Sequence, residues 1–160
     1  MKTLILAAAL TAAPALAALA DAPGITVTDA YARSTNPRSG AVFMTVANAN
    51  AADCRITAAT ADVTPRAELH THAEENGMMK MTPVEAVTIP AGGTHALERG
   101  GDHVMLMALE TPLKDGDKVA LTLDLGACGT LPVEAVVDNK RPASGHAGGH
   151  AGRTMPMPAN

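Results

Sequence analysis

The sequence contains very few aromatic residues: tryptophan is absent, and Tyr31 and Phe43 are the only tyrosine and phenylalanine. A core built by this chain must therefore be aliphatic. Basic residues are also few, because 12 lysines and arginines stand against 16 acidic residues, and they form no cluster. The sequence thus gives no reason to expect binding to nucleic acid or to an anionic membrane surface.

Long apolar runs are missing as well. The apolar stretch at residues 4–10 follows Lys2 and precedes the small residues Ala15, Ala17 and Ala20. It is far shorter than the roughly 18 residues that a membrane-spanning helix needs, and the arrangement is typical of a secretory signal peptide. We therefore predict that residues 1–20 are a signal peptide, cleaved before Asp21, and that the mature chain is exported and has no membrane span.

Cysteine occurs only twice, at Cys54 and Cys128, and no C-x-x-C pair is present. An even number of cysteines in an oxidising, exported compartment favours a disulfide. The alternative is that one thiolate binds a metal ion. Cys128 has no His or Met close to it in the chain, as the Cys of a blue-copper site would have, so we predict the disulfide.

The sequence does contain many short β-type runs, which are separated by turn signals at a spacing of roughly 8–12 residues. In residues 118–125, Val and Leu alternate with polar or small residues, as in a half-buried strand. Asn76 and Gly77 form the dipeptide most typical of a tight hairpin. These patterns predict an all-β fold, an antiparallel sandwich or barrel. Strands are predicted at residues 24–28, 41–47, 55–59, 67–70, 78–81, 86–89, 103–108, 118–125 and 131–137.

The composition changes after Val137. The following residues are rich in proline and glycine and lack a periodic apolar pattern, so they cannot bury enough apolar surface to offset the entropy lost on ordering. We predict one domain over residues 21–138 and a disordered tail over residues 139–160. The tail still contains side chains that can bind a metal, namely His146, His150, Met155 and Met157.

Four side chains of the predicted domain point to chemistry: His70, Met81, His103 and Met105. Residues two apart on a strand face the same way, so His103 and Met105 can project together. A hairpin would bring His70 and Met81 close to one end of the sheet. Thioether sulfur is a poor ligand for hard cations and a good one for Cu(I), with imidazole as a common companion. The set therefore indicates a Cu(I) site, although each member taken alone is equally well explained by packing.

The other His and Met residues of the domain carry weaker signals. We assign Met78, Met79 and Met107 to packing in the core or on the surface. His72 has the same strand parity as His70 and is a candidate accessory ligand, whereas His95, in a Gly-rich turn, is assigned to solvent.

The complete spacing H-x10-M-x21-H-x-M, from His70 to Met105, resembles the motif of the periplasmic copper chaperones called PCu(A)C. The flanking segments A-E-L-H-T-H, G-M-M-K-M-T-P-V, I-P-A-G-G and H-V-M-L-M also resemble this family, and so do A-Y-A-R and G-A-V-F-M upstream. The resemblance covers residues 24–137. Cys54 and Cys128 are not part of the family pattern.

The resemblance implies a cupredoxin-like β-sandwich that is not an enzyme and that binds one Cu(I) through His70, Met81, His103 and Met105. It also implies a periplasmic role, in which copper is carried to the CuA centre in subunit II of cytochrome oxidase or to other periplasmic copper-assembly proteins. Some relatives have a His- and Met-rich extension proposed to bind Cu(II), and the tail with His146, His150, Met155 and Met157 is similar to it. A copper-storage or resistance protein would use the same donors and is the alternative.

Overall fold

Residues 22–142 are described by a computed structural model. The predicted signal peptide and most of the predicted tail, with His146, His150, Met155 and Met157, lie outside the described residues. Within the described range, no helix is long and apolar enough to cross a membrane. Regular structure there consists of strands and one 3₁₀ turn at Gly126–Cys128. The strands are β1 (Ile25–Asn36), β2 (Ser39–Asn48), β3 (Cys54–Ile56), β4 (Ala58–Ala61), β5 (Arg66–Glu75), β6 (Met78–Pro83), β7 (Val87–Ile89), β8 (Thr94–Leu97), β9 (His103–Met107), β10 (Lys118–Asp124) and β11 (Thr130–Val137).

Most of the strands belong to a single 9-stranded sheet, in the order β4-β10-β11-β1-β2-β9-β5-β6, with β8 paired to β2 beside β9. β3 and β7 form a small separate sheet. β1 and β11 pair in parallel, while the other described ladders are antiparallel. β4, at one edge of the order, contacts β5 near the other edge, so the sheet curls on itself. The all-β prediction is confirmed, with one parallel pairing that the sequence pattern did not indicate.

The core is aliphatic, as the scarcity of aromatic residues requires. Alternate residues of β10 are buried and the others exposed, in agreement with the predicted pattern. Val104 and Leu106 of β9 belong to the same buried cluster. Burial of one such side chain is worth about 1.5–3 kcal/mol. Tyr31 and Phe43 are buried too, but they lie outside this cluster, on the face of the sheet turned away from it, which we call the outer face.

A β-bulge in β1 brings Tyr31 to the outer face. The register of β1 with β2 shifts between Thr28 and Tyr31, and Asp29 in this interval has a φ of 58°. A positive φ is uncommon outside glycine, and Asp is one of the residues that adopt it most readily. A bulge adds a residue to one strand and so changes which alternate residues face the core. Beyond the shift, Tyr31 is opposite Phe43 on β2.

The end of the described chain is fastened to β1. Arg141 is ion-paired with Asp29, and its guanidinium carbon lies 4.1 Å from the centre of the Tyr31 ring. Arg33 donates a hydrogen bond of 2.8 Å to the carbonyl oxygen of Asn139. Contacts with the domain therefore continue to Arg141, beyond the change in composition at residue 138.

The predicted disulfide is present. Cys54 of β3 is bonded to Cys128 of the 3₁₀ turn, with Cα atoms 5.9 Å apart, and it ties the small sheet to the connection between β10 and β11. No cysteine is free, so a thiolate ligand of the blue-copper kind is excluded. Structural disulfides are typical of exported proteins, which agrees with the predicted export.

Several predicted elements need correction. Residues 55–59 are not one strand: β3 and β4 are separated at Thr57, whose N–H donates to the carbonyl oxygen of Asp124 at 2.8 Å. β1 and β5 are longer than predicted because polar residues continue their ladders.

Residues 94–97 form β8, which has too few apolar residues to show a pattern. His95 is therefore on a strand, with its Nε2 2.8 Å from an Asp102 carboxylate oxygen, and is not simply solvated.

Candidate metal centre

His103 and Met105 lie on the outer face of β9, beside β5. Val104 between them is buried in the aliphatic core, as strand alternation requires. In the antiparallel ladder with β5, His103 is opposite His70 and Met105 is opposite Glu68. The predicted pair on β9 therefore shares one surface with His70.

Met81 reaches the same surface through the hairpin of β5 and β6. Asn76 and Gly77 form its two-residue turn, with φ values of 55° and 79°, as expected for a type I′ turn. The ladder places Met81 opposite His72 and not opposite His70. β5 also runs on past His70 instead of ending there, so the predicted position of His70 at a strand end is wrong.

His103 is the most buried of these side chains, with 1% of its surface exposed. Its Nδ1 donates a hydrogen bond of 3.0 Å to the carbonyl oxygen of Gly101, which leaves the Nε2 lone pair free in the neutral ring. Burial lowers the pKa of His103; the neighbouring His72 and His70 lower it further, while the Gly101 carbonyl opposes the shift. The neutral form, which is the form that binds a metal, is therefore favoured.

His70 is held by a carboxylate. Its Nε2 lies 3.1 Å from Oε2 of Glu68, and the other oxygen of that carboxylate accepts a hydrogen bond of 2.6 Å from Arg66. The hydrogen bonds from His70 and then from Arg66 lower the pKa of Glu68. With Nε2 as the donor, Nδ1 of the neutral His70 ring carries the lone pair, and this atom is buried without a hydrogen-bond partner. A carboxylate that orients a histidine in this way is a common companion of metal ligands.

His72 lies inside the same cluster. The centre of its ring is 5.2 Å from that of His103, which is closer than the 6.1 Å between His70 and His103. Nδ1 of His72 is also buried without a hydrogen-bond partner.

Met81 and Met105 line one cavity of about 140 Å³ on the outer face. Met81 is 42% exposed, whereas Met105 is half-buried. Phe43 covers one wall of the cavity, and the remaining walls are formed by Arg33, Ser39, Gly40, Ala41 and Arg99. Both thioether side chains can therefore approach one small site.

The other methionines of this region pack on the surface and not in the core. Met78 and Met79 of β6 are 71% and 62% exposed, and Met107 on β9 is half-buried. Of the two assignments that the sequence left open for Met79, core or surface, the surface is therefore the observed one.

The two aromatic residues of the sequence form a row that ends at the site. The Tyr31 and Phe43 rings are 5.1 Å apart between centres, and Phe43 is 5.9 Å from His103. The large side chain of Phe43 helps to bury His103, since it lies next to it on the outer face, and Tyr31 packs behind Phe43.

The donors in this cluster fit a soft monovalent ion. Among residues 22–142, no group of three or more His, Cys, Asp or Glu side chains is placed to hold a metal ion, and the further donors of this cluster are the sulfur atoms of Met81 and Met105. A buried polar atom without a partner costs about 1–3 kcal/mol. His70 and His72 each bear such an atom, and a bound ion would satisfy it. Neutral imidazole nitrogen together with thioether sulfur is the combination that Cu(I) accepts.

All four sequence-predicted ligands therefore lie on one face of three adjacent strands. Sequence reasoning missed Glu68, although its parity with His70 was a usable signal. It also missed the Gly101 carbonyl and Phe43, because the pairing of β2 with β9 leaves no local pattern.

Residues 25–137 match the family described as "Putative lipoprotein LpqE-like". A protein of Leifsonia xyli subsp. xyli (strain CTCB07), named "Putative lipoprotein Lxx21020", is 32% identical over 117 residues, which are 72% of this chain and 70% of that protein.

Two solved structures share the fold. The solution structure of Cu(I)-DR1885 from Deinococcus radiodurans is 37% identical, with a TM-score of 0.54 over 74% of this chain and 83% of that chain. The copper-bound PCuAC domain from PmoF2 has a TM-score of 0.60 over 72% of this chain and 92% of its own, at 17% identity. At that identity the second similarity concerns the fold alone, and it confirms the PCu(A)C-like architecture expected from the sequence.

Proposed function

This chain belongs to the LpqE-like family. From the geometry of the site and the similarity to Cu(I)-DR1885, we propose that it is a periplasmic copper chaperone. It binds one Cu(I) through His70, Met81, His103 and Met105 and passes the ion to the CuA centre of cytochrome oxidase or to another periplasmic copper-assembly protein. Copper is its cargo, and the chain performs no catalysis.

One observation carries the proposal: both thioethers line a single cavity, and the strands that bear them and the adjoining β5 place imidazoles with an unengaged nitrogen on the same face. Glu68 and the Gly101 carbonyl occupy one nitrogen each of His70 and His103, so the other nitrogen of each ring is available to the ion. The similarity to DR1885, which was solved with Cu(I), supports the same choice of metal and oxidation state.

The donor set suits transfer as well as binding. Cu(I) has a filled d shell and little geometric preference, so its ligands can be exchanged one at a time. Thioethers are neutral and release no proton on binding, and the imidazoles are already held in defined tautomers. Met81 is 42% exposed and is the ligand that an incoming donor reaches first.

The direct test is Cu(I) titration of the wild type and of the Met81→Ala and His103→Ala variants, with X-ray absorption to count sulfur neighbours. We expect one Cu(I) per wild-type chain, with two sulfur neighbours. In Met81→Ala we expect one sulfur neighbour fewer. Met78→Ala is the matched control, because Met78 lies on the same strand and is 71% exposed. A wild-type spectrum without sulfur neighbours would falsify the proposed site.

Delivery is separated from storage by a transfer experiment. The Cu(I)-loaded protein is mixed with a metal-free CuA domain, and the two are separated and assayed for copper. A chaperone gives up its copper to the acceptor. Retention of the metal by this chain would contradict delivery and favour a storage or resistance protein.

We propose in addition that His146, His150, Met155 and Met157 form a second site, for Cu(II), because imidazole suits that ion. A chain that ends at Pro142 keeps Asn139 and Arg141, which contact the domain. This truncation should abolish Cu(II) binding and leave Cu(I) binding unchanged. If Cu(II) binding survives, the tail is not its site.

The disulfide and the predicted signal peptide support a location in the periplasm. The word lipoprotein describes relatives; in this chain Cys54 and Cys128 are bonded to each other, so neither thiol can carry a lipid. Fractionation of cells that express the full chain should recover it with periplasmic proteins.

A further inference from the structure

We infer that His72 is a fifth copper-binding residue and that it forms, with Met81, an outer donor pair from which the ion leaves. The inference rests on the proposed function, since it concerns the same copper site. The inference adds His72, which lies outside the H-x10-M-x21-H-x-M spacing, to the proposed ligands. It also gives the direction in which the copper ion moves within the site.

The ladder between β5 and β6 is the first argument. Met81 is directly opposite His72. Side chains directly opposite on an antiparallel pair have Cβ atoms about 4.5–5.5 Å apart, whereas diagonal neighbours are about 7–8 Å apart. Of the two histidines on β5, His72 is therefore the natural partner of Met81, and His70 is the diagonal neighbour.

The surroundings of the three rings are the second argument. His70 is opposite His103 and is held by Glu68, so these two rings form an inner pair close to Met105. The ring of His72 is 5.2 Å from that of His103, close enough for one ion to contact both rings in turn. Nδ1 of His72 is buried and has no hydrogen-bond partner, which is costly unless this nitrogen binds something.

The exposed fractions of the side chains indicate the direction in which the ion leaves the site. His103 is 1% exposed, whereas Met81 is 42% exposed and is followed toward the turn by the more exposed Met79. His70 and His72 are both half-buried, so the end of the site that bears Met81, with His72 opposite it, lies between the buried His103 ring and solvent. Five donors exceed the coordination number of Cu(I), so a shift between overlapping sets is possible without release.

The step is a ligand exchange. A bond from copper to nitrogen of His70 breaks as a bond to nitrogen of His72 forms, while His103, Met81 and Met105 stay bound. Copper remains Cu(I), and the exchange swaps one neutral nitrogen donor for another, since imidazole binds a metal in its neutral form. The ion then lies nearer the exposed methionines, where the ligands of a recipient can enter.

Nitrogen NMR of the full mature chain tests this inference without any substitution. One equivalent of Ag(I), which has the charge and donor preference of Cu(I) and does not oxidise, is added to ¹⁵N-labelled protein. Long-range ¹H–¹⁵N spectra then report which ring nitrogens bind the metal, through the shift and the coupling to ¹⁰⁹Ag. We expect a metal-induced change at Nδ1 of His72 as well as at His70 and His103.

A matched pair of variants gives an independent measure. His72→Gln keeps the size and polarity of the side chain but removes a strong ligand. His95→Gln is the control: it makes the same substitution on β8, where His95 is paired with Asp102. We expect His72→Gln to retain one Cu(I) per chain, to lose about tenfold in affinity against a competing chelator, and to transfer copper to an acceptor more slowly. His95→Gln should match the wild type.

The outcomes separate the inference from the function on which it rests. Metal-induced changes at His70 and His103 alone would overturn the role of His72 and leave the chaperone proposal intact. The role of His72 is overturned in the same way if His72→Gln binds and transfers copper like His95→Gln. If no ring nitrogen responds to the metal, the proposed copper site fails, and the inference fails with it.

Discussion

At His70 and His103, a protein oxygen decides which ring nitrogen is free. The Glu68 carboxylate accepts from Nε2 of His70, and the Gly101 carbonyl accepts from Nδ1 of His103. The two imidazoles, whose ring centres are 6.1 Å apart, therefore have different nitrogens free, Nδ1 in His70 and Nε2 in His103. Fixing the tautomers beforehand removes a rearrangement that would otherwise accompany each binding event.

Glu68 should matter for copper affinity although it is not expected to touch the ion. We expect Glu68→Ala to weaken Cu(I) binding about tenfold, because His70 loses the acceptor that orients it. Glu68→Gln, whose amide oxygen still accepts a hydrogen bond, should retain most of the affinity. Glu134→Ala is the control, since Glu134 forms a comparable exposed ion pair with Lys118 on distant strands. Equal affinities for Glu68→Ala and Glu134→Ala would contradict this role.

The titration of His103 should differ from that of free imidazole. Its pKa is lowered by burial, so in the metal-free protein the ring should titrate with a midpoint below the usual value of about 6.5. The folded state favours the neutral ring more than the unfolded state does. The resulting stability is therefore complete above about pH 6.5 and is lost as the pH falls toward the folded pKa.

Two measurements check this behaviour. The ring protons of His103, followed by NMR, give the midpoint, and denaturant unfolding should show a lower free energy of unfolding at pH 5 than at pH 7.5. Proton competition with copper at this ligand should begin only at the lower midpoint. A midpoint at or above 6.5 would contradict the assigned effect of burial.

Among the elements, the hairpin of β5 and β6 decides which histidine meets Met81. Its Asn76-Gly77 turn was predictable, because this dipeptide is the strongest short hairpin signal. Counting outward from the turn already places Met81 opposite His72, so this part of the site was available in the sequence. The position of Phe43 could not be found by counting from a turn in this way. Its place beside His103 depends on β2 pairing with β9 and on the fold as a whole.

The other elements divide in the same way. β10 was predictable from its regular alternation, while β8, with Leu97 as its only buried residue, was not. The bulge at Asp29 was invisible as well, because it depends on register with β2 and not on local composition. Strands and turns that local periodicity and turn residues specify could be predicted from the sequence. Features that depend on pairing with strands distant in the chain could not.

A one-residue insertion between Asn76 and Gly77 tests the hairpin as an element. Every side chain of a strand changes face when its register slips by one residue. If β6 slips, Met81 should leave the outer face, and we expect one sulfur neighbour fewer around Cu(I), together with weaker binding. The turn has space for the change, since no atom of another residue lies within 4 Å of the position that a Cβ atom would occupy at Gly77.

The control places the same insertion at Gly92, in the turn between β7 and β8, where space is equally free. This variant should keep the wild-type X-ray absorption spectrum. Loss of sulfur in both variants would show that the effect is general destabilisation and not register.

At the scale of the whole molecule, structural and binding functions are carried by different parts of the sheet system. The disulfide joins β3 to the 3₁₀ turn, whereas the donors lie on β5, β6 and β9. The aliphatic cluster contains neither Tyr31 nor Phe43, and both aromatic residues are used beside the site. Of these two residues, Phe43 shields the His103 imidazole, and Tyr31 packs between Phe43 and Arg141.

Removing the disulfide should therefore change stability more than copper binding. The bond closes a loop with a sequence separation of 74, and on the chain-entropy model its loss in Cys54→Ser/Cys128→Ser should lower the free energy of unfolding by about 4 kcal/mol. Denaturant unfolding measures that change. At a temperature where the variant is folded, Cu(I) affinity should match that of the wild type; a large loss of affinity would contradict the separation of the two functions.

The stacking of Arg141 on Tyr31 has a consequence for everything that follows it in the chain. From the guanidinium of Arg141 to Tyr31, Phe43 and His103, successive steps are only 4.1, 5.1 and 5.9 Å. Residue 143 follows Arg141 by only two positions in the chain, and five residues of extended chain span at most about 17 Å. A short tether of this kind gives an effective concentration in the millimolar range. At the proposed copper site, the proposed donors His146 and His150 should therefore compete far better than the same groups free in solution.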